Sequence, residues 1–363
     1  MRQKNIRSAL VLASAGVSIS AAFAYISVHH QVDAATRHPS WRQQSDDANP
    51  RLMATSAFSF QRSAARSYAT SCDLYYQKHR RIPVPKTIHA DLTTISETSD
   101  PSSDTRGILV IGDVHGCYEE MLLLHEKAVA ENGHRPFSFV ILVGDLCNKG
   151  PDSVKVIRHV RTHYPTWLAV RGNHDDSALA AALGDELRRQ KPTYQWTWRR
   201  QDDETDKSLS DEDVLWLSEL PYTIRIPSSI YGDSSEEVDT LIVHAGLTPN
   251  MPLENQSTAT MVTLRNVCKI LDSPGEYVVD VPQDANESPG QYGTPEPWAH
   301  AWKGPFHVVF GHDAKRGLQQ YPWATGLDTG CCYGKQLTGL ILPERRLVGV
   351  DALKAHSPIT GKK

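Results

Sequence analysis

The chain carries no excess of positive charge to draw it to nucleic acid. Its 38 Lys and Arg stand against 42 Asp and Glu, a net charge of −4, and no basic patch or aromatic platform interrupts that balance. Cysteine is scarce: six in 363 residues do not make the disulfide framework of a small secreted domain. Cys117, Cys147, Cys331 and Cys332 lie beside the motifs described below, where buried thiols are expected. No internal repeat runs through the sequence, which excludes solenoid and propeller arrays. What remains is ordinary, 40% hydrophobic and 22% charged, and long enough to bury a substantial core in one large domain or two smaller ones.

Two further absences mark the N-terminus. No Asp or Glu precedes Asp33, and no charge interrupts "ALVLASAGVSISAAFAYISV", Ala9 to Val28. A helix needs about 20 apolar residues to cross a bilayer, and Arg2, Lys4 and Arg7 precede this run. Three readings compete for residues 1–28: a signal anchor, a signal peptide cleaved after Ala22-Phe-Ala24, and an organellar presequence. An anchor with its basic residues inside tethers the chain to the membrane through residues 9–28. It then places the remainder on the lumenal side of an endomembrane or vacuole. The presequence reading places the protein in the mitochondrion.

Residues 29–104 read as a low-complexity tether, without sustained periodicity and ending in "TTISETSDPSSDT". From residue 105 to 353 the pattern is that of a folded domain, with 354–363 as a tail. "GILVIGD" reads as a buried strand and "YEEMLLLHEKAVAENG" as a helix stopped by Asn-Gly. "FSFVILVGD" is a second strand. "PDSVKVIRHVRTHY" follows as a helix with Pro151 in its first turn, and "TWLAVRGNHD" as a third strand. The later segments "TLIVHAG", "FHVVFGH", "LTGLIL" and "RLVGV" are short strands without long helices between them. The fold class expected is α/β, with two packed sheets flanked by helices.

Five strand ends finish in glycine-flanked polar clusters: Gly112-Asp-Val-His-Gly116, Gly144-Asp145, Gly172-Asn-His-Asp175, His244-Ala-Gly246 and Gly311-His312. Strand exits are where α/β folds assemble ligands, and glycine lets the backbone turn tightly enough for a short side chain to point at a common centre. Any one cluster alone reads as turn or core residues. Together Asp113, His115, Asp145, Asn173, His244 and His312 offer two carboxylates, three imidazoles and one amide oxygen. That set suits two divalent ions with one carboxylate bridging, and mixed N and O donors without thiolate point to Mn, Fe or Zn. Such a pair generates hydroxide near neutral pH and clamps a phosphoryl group during in-line displacement.

These motifs resemble the phosphoprotein-phosphatase type of calcineurin-like metallophosphoesterases. "GDVHG", "GDLCNKGPDS", "GNHD", "HAG" and "GH" match its ordered signatures over about residues 107–353. "GDVHGCYEE", "HAGLTPN" and "LDTGCCYGKQLTGL" (Leu327 to Leu340) look like its ApaH-like branch, named after bacterial diadenosine tetraphosphatase. The resemblance implies roles. Asp113 and His115 hold the first metal, Asp145 bridges, and Asn173, His244 and His312 hold the second. His174 is the general acid on the leaving oxygen. Lys149 stands where the family usually carries a phosphate-binding Arg, and as a compact charge it neutralises better than it orients. Arg171, beside the third motif, is a second candidate phosphate contact, or else packs or pairs locally. Arg265 in "MVTLRNV" is a third, with a solvated helix arginine as the alternative.

Asn148 departs from the protein phosphatases of the family, which have Asp there to acidify the catalytic histidine. Asn holds an imidazole without supplying charge to its protonated form. A leaving phosphate, with a second pKa of about 6, needs little protonation. A serine alkoxide, of basicity on the order of water's ~15.7, needs a strong proton donor. The expectation is therefore a dimetal-dependent phosphohydrolase acting on phosphoanhydrides: polyphosphate, dinucleoside polyphosphates or nucleotide caps. A serine/threonine protein phosphatase is the alternative. A non-catalytic binding protein is disfavoured, because no ligand of the set is missing and His174 is present. "PGQYGTPEPWAHAW", Pro289 to Trp302, either walls the cleft or packs.

Overall fold

The structure, a computed structural model, describes residues 82–96, 107–198, 207–231, 238–279 and 291–358. A five-stranded sheet runs in the order Arg346–Asp351 (β14), Gln336–Leu342 (β13), Ile108–Ile111 (β2), Phe139–Leu142 (β3) and Trp167–Ala169 (β4). A six-stranded sheet runs His89–Asp91 (β1), Thr223–Ile226 (β5), Thr240–Val243 (β6), His307–Phe310 (β10), Ala324–Gly326 (β12) and Gln319–Tyr321 (β11). The strands that carry the motifs are parallel within their sheets: β2 with β3 and β3 with β4 in one, β6 with β10 in the other.

The layering follows from how each strand divides its side chains. Ile108 and Val110 of β2 meet Ile224, Ile242 and Val309 of the second sheet in one core cluster. Leu109 and Ile111 point to the opposite face, into a cluster with Met121, Leu124, Ile157 and Val160. With both faces covered, "ILVI" reads as a continuous apolar run rather than an alternating one. The outer face of the second sheet, through Leu241, Val243, Val308 and Phe310, packs on Met261, Trp298 and Trp302. Trp298 and Trp302 are thus packing residues. A small third sheet joins Tyr277–Val279 (β8), Asn266–Lys269 (β7) and Glu296–Pro297 (β9).

The helices are Leu92–Ser96 (α1), Tyr118–Glu131 (α2), Ser153–Thr162 (α3), Asn173–Ala182 (α4), Glu186–Arg189 (α5), Asp211–Glu219 (α6), Thr258–Thr263 (α7) and Trp298–Ala301 (α8). Glu119 and Glu120 open α2 where the helix dipole favours acids, and Met121, Leu124 and Ala128 bury its inner stripe. It stops at Asn132, before Gly133 with φ +69. Pro151, expected in the first turn of α3, instead precedes the N-cap residue Asp152.

The domain boundaries differ from the sequence expectation at both ends. Residues 82–96, assigned to the tether, belong to the fold: β1 pairs in parallel with β5, and Leu92 is fully buried between the sheets. At the other end the chain stays hydrogen-bonded past 353, with His356 and Ser357 N–H both donating to the Cys332 carbonyl. Among the described residues no helix is long and apolar enough to cross a membrane. The segment 9–28 and most of the expected tether lie outside them.

Candidate metal centre

All six candidate ligands lie just past the C-terminal ends of parallel strands. Asp113 and His115 follow β2, Asp145 follows β3, Asn173 follows β4, His244 follows β6 and His312 follows β10. The loops are stitched together by their own backbones. His115 N–H donates to the Asp145 carbonyl at 2.8 Å, Gly150 N–H to the His115 carbonyl at 2.7 Å, and Gly311 N–H to the His244 carbonyl at 2.8 Å. His115, Asp145, Asn148, Lys149 and His312 all have φ between +49° and +73°. Non-glycine residues held there cost of order 1 kcal/mol or more each, and such strain concentrates at functional sites.

Glycines make the close approach possible. A Cβ on Gly172 would run into the backbone nitrogen and Oδ1 of Asp145, and one on Gly311 into Oδ1 of Asp113.

Asp145 stands at the centre. Its Oδ2 is 3.4 Å from Nε2 of His115 and its Oδ1 is 3.4 Å from Nε2 of His244. Ligand atoms of His115, Asp145 and His174 lie within 4.8 Å of one another, and so do those of Asp145, His244 and His312. Asp145 therefore belongs to both groups, as a bridging carboxylate must. Asn173 joins the second group, its Oδ1 lying 3.1 Å from Nε2 of His244 and 2.9 Å from Nδ1 of His312. Asp113 lies alongside, its carboxylate accepting the His312 N–H at 3.0 and 3.1 Å.

The donor set fits cations. Nδ1–H of His115 donates to the Cys147 carbonyl at 3.1 Å and Nδ1–H of His244 to the Val143 carbonyl at 3.0 Å. Each bond fixes the tautomer that turns an Nε2 lone pair inward. In the second group the His244 lone pair faces the Asn173 and Asp145 oxygens, an arrangement of acceptors that a cation between them satisfies. Burial lowers the pKa of His115, His244 and His312, the direction that frees a ring lone pair for ligation. Burial would raise Asp145, but His244, His174, His115 and Lys149 outweigh it and hold the carboxyl well below its usual range. Asp113 moves the other way, raised by burial, Asp328 and Asp145.

His174 packs edge-on against His115, ring centroids 4.9 Å apart. The side-chain nitrogen of Asn148 donates to its Nδ1 at 2.8 Å, which leaves the ring proton on Nε2. Lys149 reaches into the site, Nζ–H donating to Nε2 of His115 at 2.8 Å. Arg265 sits at the rim, not in a helix but just after α7, and donates to the His312 carbonyl at 3.1 Å.

Arg171 is not a phosphate contact. It is fully buried, and its guanidinium meets Asp176 at 3.4 Å and donates to the carbonyls of Pro83 at 3.2 Å and Ser218 at 2.5 Å. Adjacency to a motif in sequence placed it near the site, but its side chain serves the core.

Several residues around the site carried no sequence signal for a role. Asp328 is buried beside Asp113 and raised to about 6, chiefly by burial. Tyr333 presents its ring to Lys149, Nζ 5.1 Å from the centroid. Both lie in the quoted segment Leu327 to Leu340, which resembled a branch without assigning roles. Tyr194, in the short 3₁₀ turn Pro192–Thr197, places its hydroxyl 3.2 Å from Nδ1 of His174. The cysteines beside the motifs are free and buried, as expected.

Comparison with known proteins agrees with this geometry. Residues 107–328 match the calcineurin-like phosphoesterase family, and the chain belongs to that family of metal-dependent phosphohydrolases. It is 29% identical over 297 residues to the symmetrical bis(5'-nucleosyl)-tetraphosphatase of Yersinia enterocolitica, covering 69% of this chain and 93% of that protein. It is 26% identical over 250 residues to an asymmetrical bis(5'-nucleosyl)-tetraphosphatase of Bacillus velezensis, covering 67% of this chain and 92% of that one. A crystal structure assigned to a diadenosine tetraphosphatase superposes with a TM-score of 0.53 at 29% identity, over 73% of this chain and 98% of that chain.

Proposed function

We propose that the protein hydrolyses phosphoanhydrides with two divalent transition-metal ions, Mn, Zn or Fe, in the site centred on Asp145. The substrate classes are inorganic polyphosphate, dinucleoside polyphosphates and capped nucleotides. Asp113 and His115 would hold one ion, Asn173, His244 and His312 the other, and Asp145 both. When bound, such a pair lowers the pKa of water and neutralises charge on the phosphoryl oxygens.

The chain's own residues supply the rest. His174 carries its proton on Nε2 and turns that N–H to the leaving oxygen, hydrogen-bonding the charge that builds there as the P–O bond breaks. Lys149, held charged by Asp145 and Tyr333 despite its burial, neutralises a phosphate oxygen. Arg265 at the rim is the candidate contact for a second phosphate.

The substrate class rests on the neutral amide of Asn148 at Nδ1 of His174. An amide that donates to Nδ1 holds the ring neutral and supplies no negative charge to an imidazolium, so His174 offers the leaving group a hydrogen bond from Nε2–H, which suits one that needs little protonation. The relatives named as bis(5'-nucleosyl)-tetraphosphatases support the same class. The test is parallel turnover on polyphosphate, diadenosine tetraphosphate and a phosphoserine peptide. Faster turnover of either anhydride is expected, and faster peptide cleavage by a wide margin overturns the reading. Residues 9–28 belong to it as an anchoring or targeting segment. Imaging a fluorescent fusion with and without residues 1–32 tests that part, and an unchanged distribution contradicts it.

A further inference from the structure

The geometry points to Tyr194 as a positioning residue for the proton donor His174, an inference that rests on the phosphohydrolase reading above. Two side chains from separate elements meet at Nδ1 of His174: the Asn148 amide from the loop after β3 at 2.8 Å, and the Tyr194 hydroxyl from the 3₁₀ turn at 3.2 Å. Two hydrogen-bonding groups on one ring nitrogen fix both the ring plane and the tautomer, so that Nε2–H faces the leaving oxygen. Removing either group loosens the hold on the ring at that nitrogen.

The phenol is built into the fold. Tyr194 is 6% exposed and packs in the core cluster behind the first sheet. Its 3₁₀ turn closes on itself through the Thr197 hydroxyl, which donates to the Tyr194 carbonyl at 2.8 Å. The Ser177 hydroxyl on the neighbouring helix α4 donates to the carbonyl of Asn173 at 2.9 Å. Tyr194 touches no reacting atom and acts through His174 alone.

A hydrogen bond from Nε2–H is worth more as the leaving group becomes more basic, because more charge builds on the departing oxygen. Loosening its orientation therefore costs most on poor leaving groups. The experiment compares wild-type enzyme with Tyr194→Phe on aryl phosphates of graded leaving-group pKa, with metal content and Tm measured alongside. The expected result is a loss in kcat of roughly 3- to 10-fold for the poorest leaving groups, shrinking towards none for the best, with KM and metal content unchanged.

A uniform loss across the series, or one that tracks falling Tm or metal content, overturns the inference. Asn148→Ala and the double variant complete a cycle. Because both groups meet one nitrogen, their effects should be non-additive, and strict additivity also overturns it. Independently of turnover, ¹⁵N NMR of labelled histidine in the zinc-loaded protein reads the His174 tautomer. The Nε2–H form is expected in wild type and a mixture in Tyr194→Phe. Wild-type inactivity on every phosphate substrate defeats the functional reading instead, and leaves the NMR result to judge Tyr194.

Discussion

Asn148 meets His174 nitrogen to nitrogen, its Nδ2 lying 2.8 Å from the ring's Nδ1. Because an amide nitrogen can only donate, the imidazole must accept at Nδ1. A carboxylate in the same place would do the reverse, accepting from Nδ1–H and stabilising the doubly protonated ring. Asn148→Asp is therefore expected to raise turnover of a phosphoserine peptide relative to polyphosphate by about 10-fold. Steady-state assays of both substrates check this, and an unchanged ratio contradicts it.

The buried pair of Arg171 and Asp176, 3.4 Å apart and both fully buried, carries a stability prediction. Removing one partner strands the other charge, which typically costs about 3–5 kcal/mol. Arg171→Ala should lose that much in urea unfolding while the folded fraction keeps its KM. A selective rise in KM without loss of stability would restore Arg171 as a phosphate contact.

Gly172 leaves no room for a methyl group against Asp145. Gly172→Ala should lower metal affinity by about 10- to 100-fold, since it displaces the carboxylate shared by both metal groups. Overpacking should also cost roughly 1–3 kcal/mol. Metal titration and thermal melts read the two effects separately, and neither changing would contradict the packing described.

Two histidines outside the site predict acid sensitivity. His159 is lowered to about 4 by burial and by His163 and His125, and His307 to about 4 by burial and Arg345, both from the usual 6.5. The folded state then binds fewer protons than the unfolded state between those values. Their contribution to stability is complete above about pH 6.5 and is lost as pH falls towards 4. Tm should decline over that interval, and His307→Asn should flatten the decline relative to wild type.

The motif strands were legible because a double-faced sheet demands unbroken aliphatic runs, and "ILVIGD" or "FVILVGD" has no other comfortable reading. The ligands were legible because each follows such a run within a few residues, so strand direction alone aims them at one rim. β1 was not: three residues within "TIHADL", amid Pro and Lys, carry no period, and only pairing with β5 makes them a strand. Arg171 misled because sequence adjacency says nothing about which way a side chain turns. Tyr194 and Asp328 reach the site through loops, where contact depends on turns that no local pattern encodes. The left-handed conformations of Asp145 and His312 were equally invisible, since they are imposed by the loops' mutual hydrogen bonds.

The central claim is that Asp145 joins two ions into one catalytic centre. Metal content per chain, measured on wild-type protein and on Asp145→Asn with paired phosphohydrolase assays, tests it most directly. The account predicts two transition-metal ions per wild-type chain, with the variant losing metal and activity together. A variant that keeps both ions and its full turnover would contradict it.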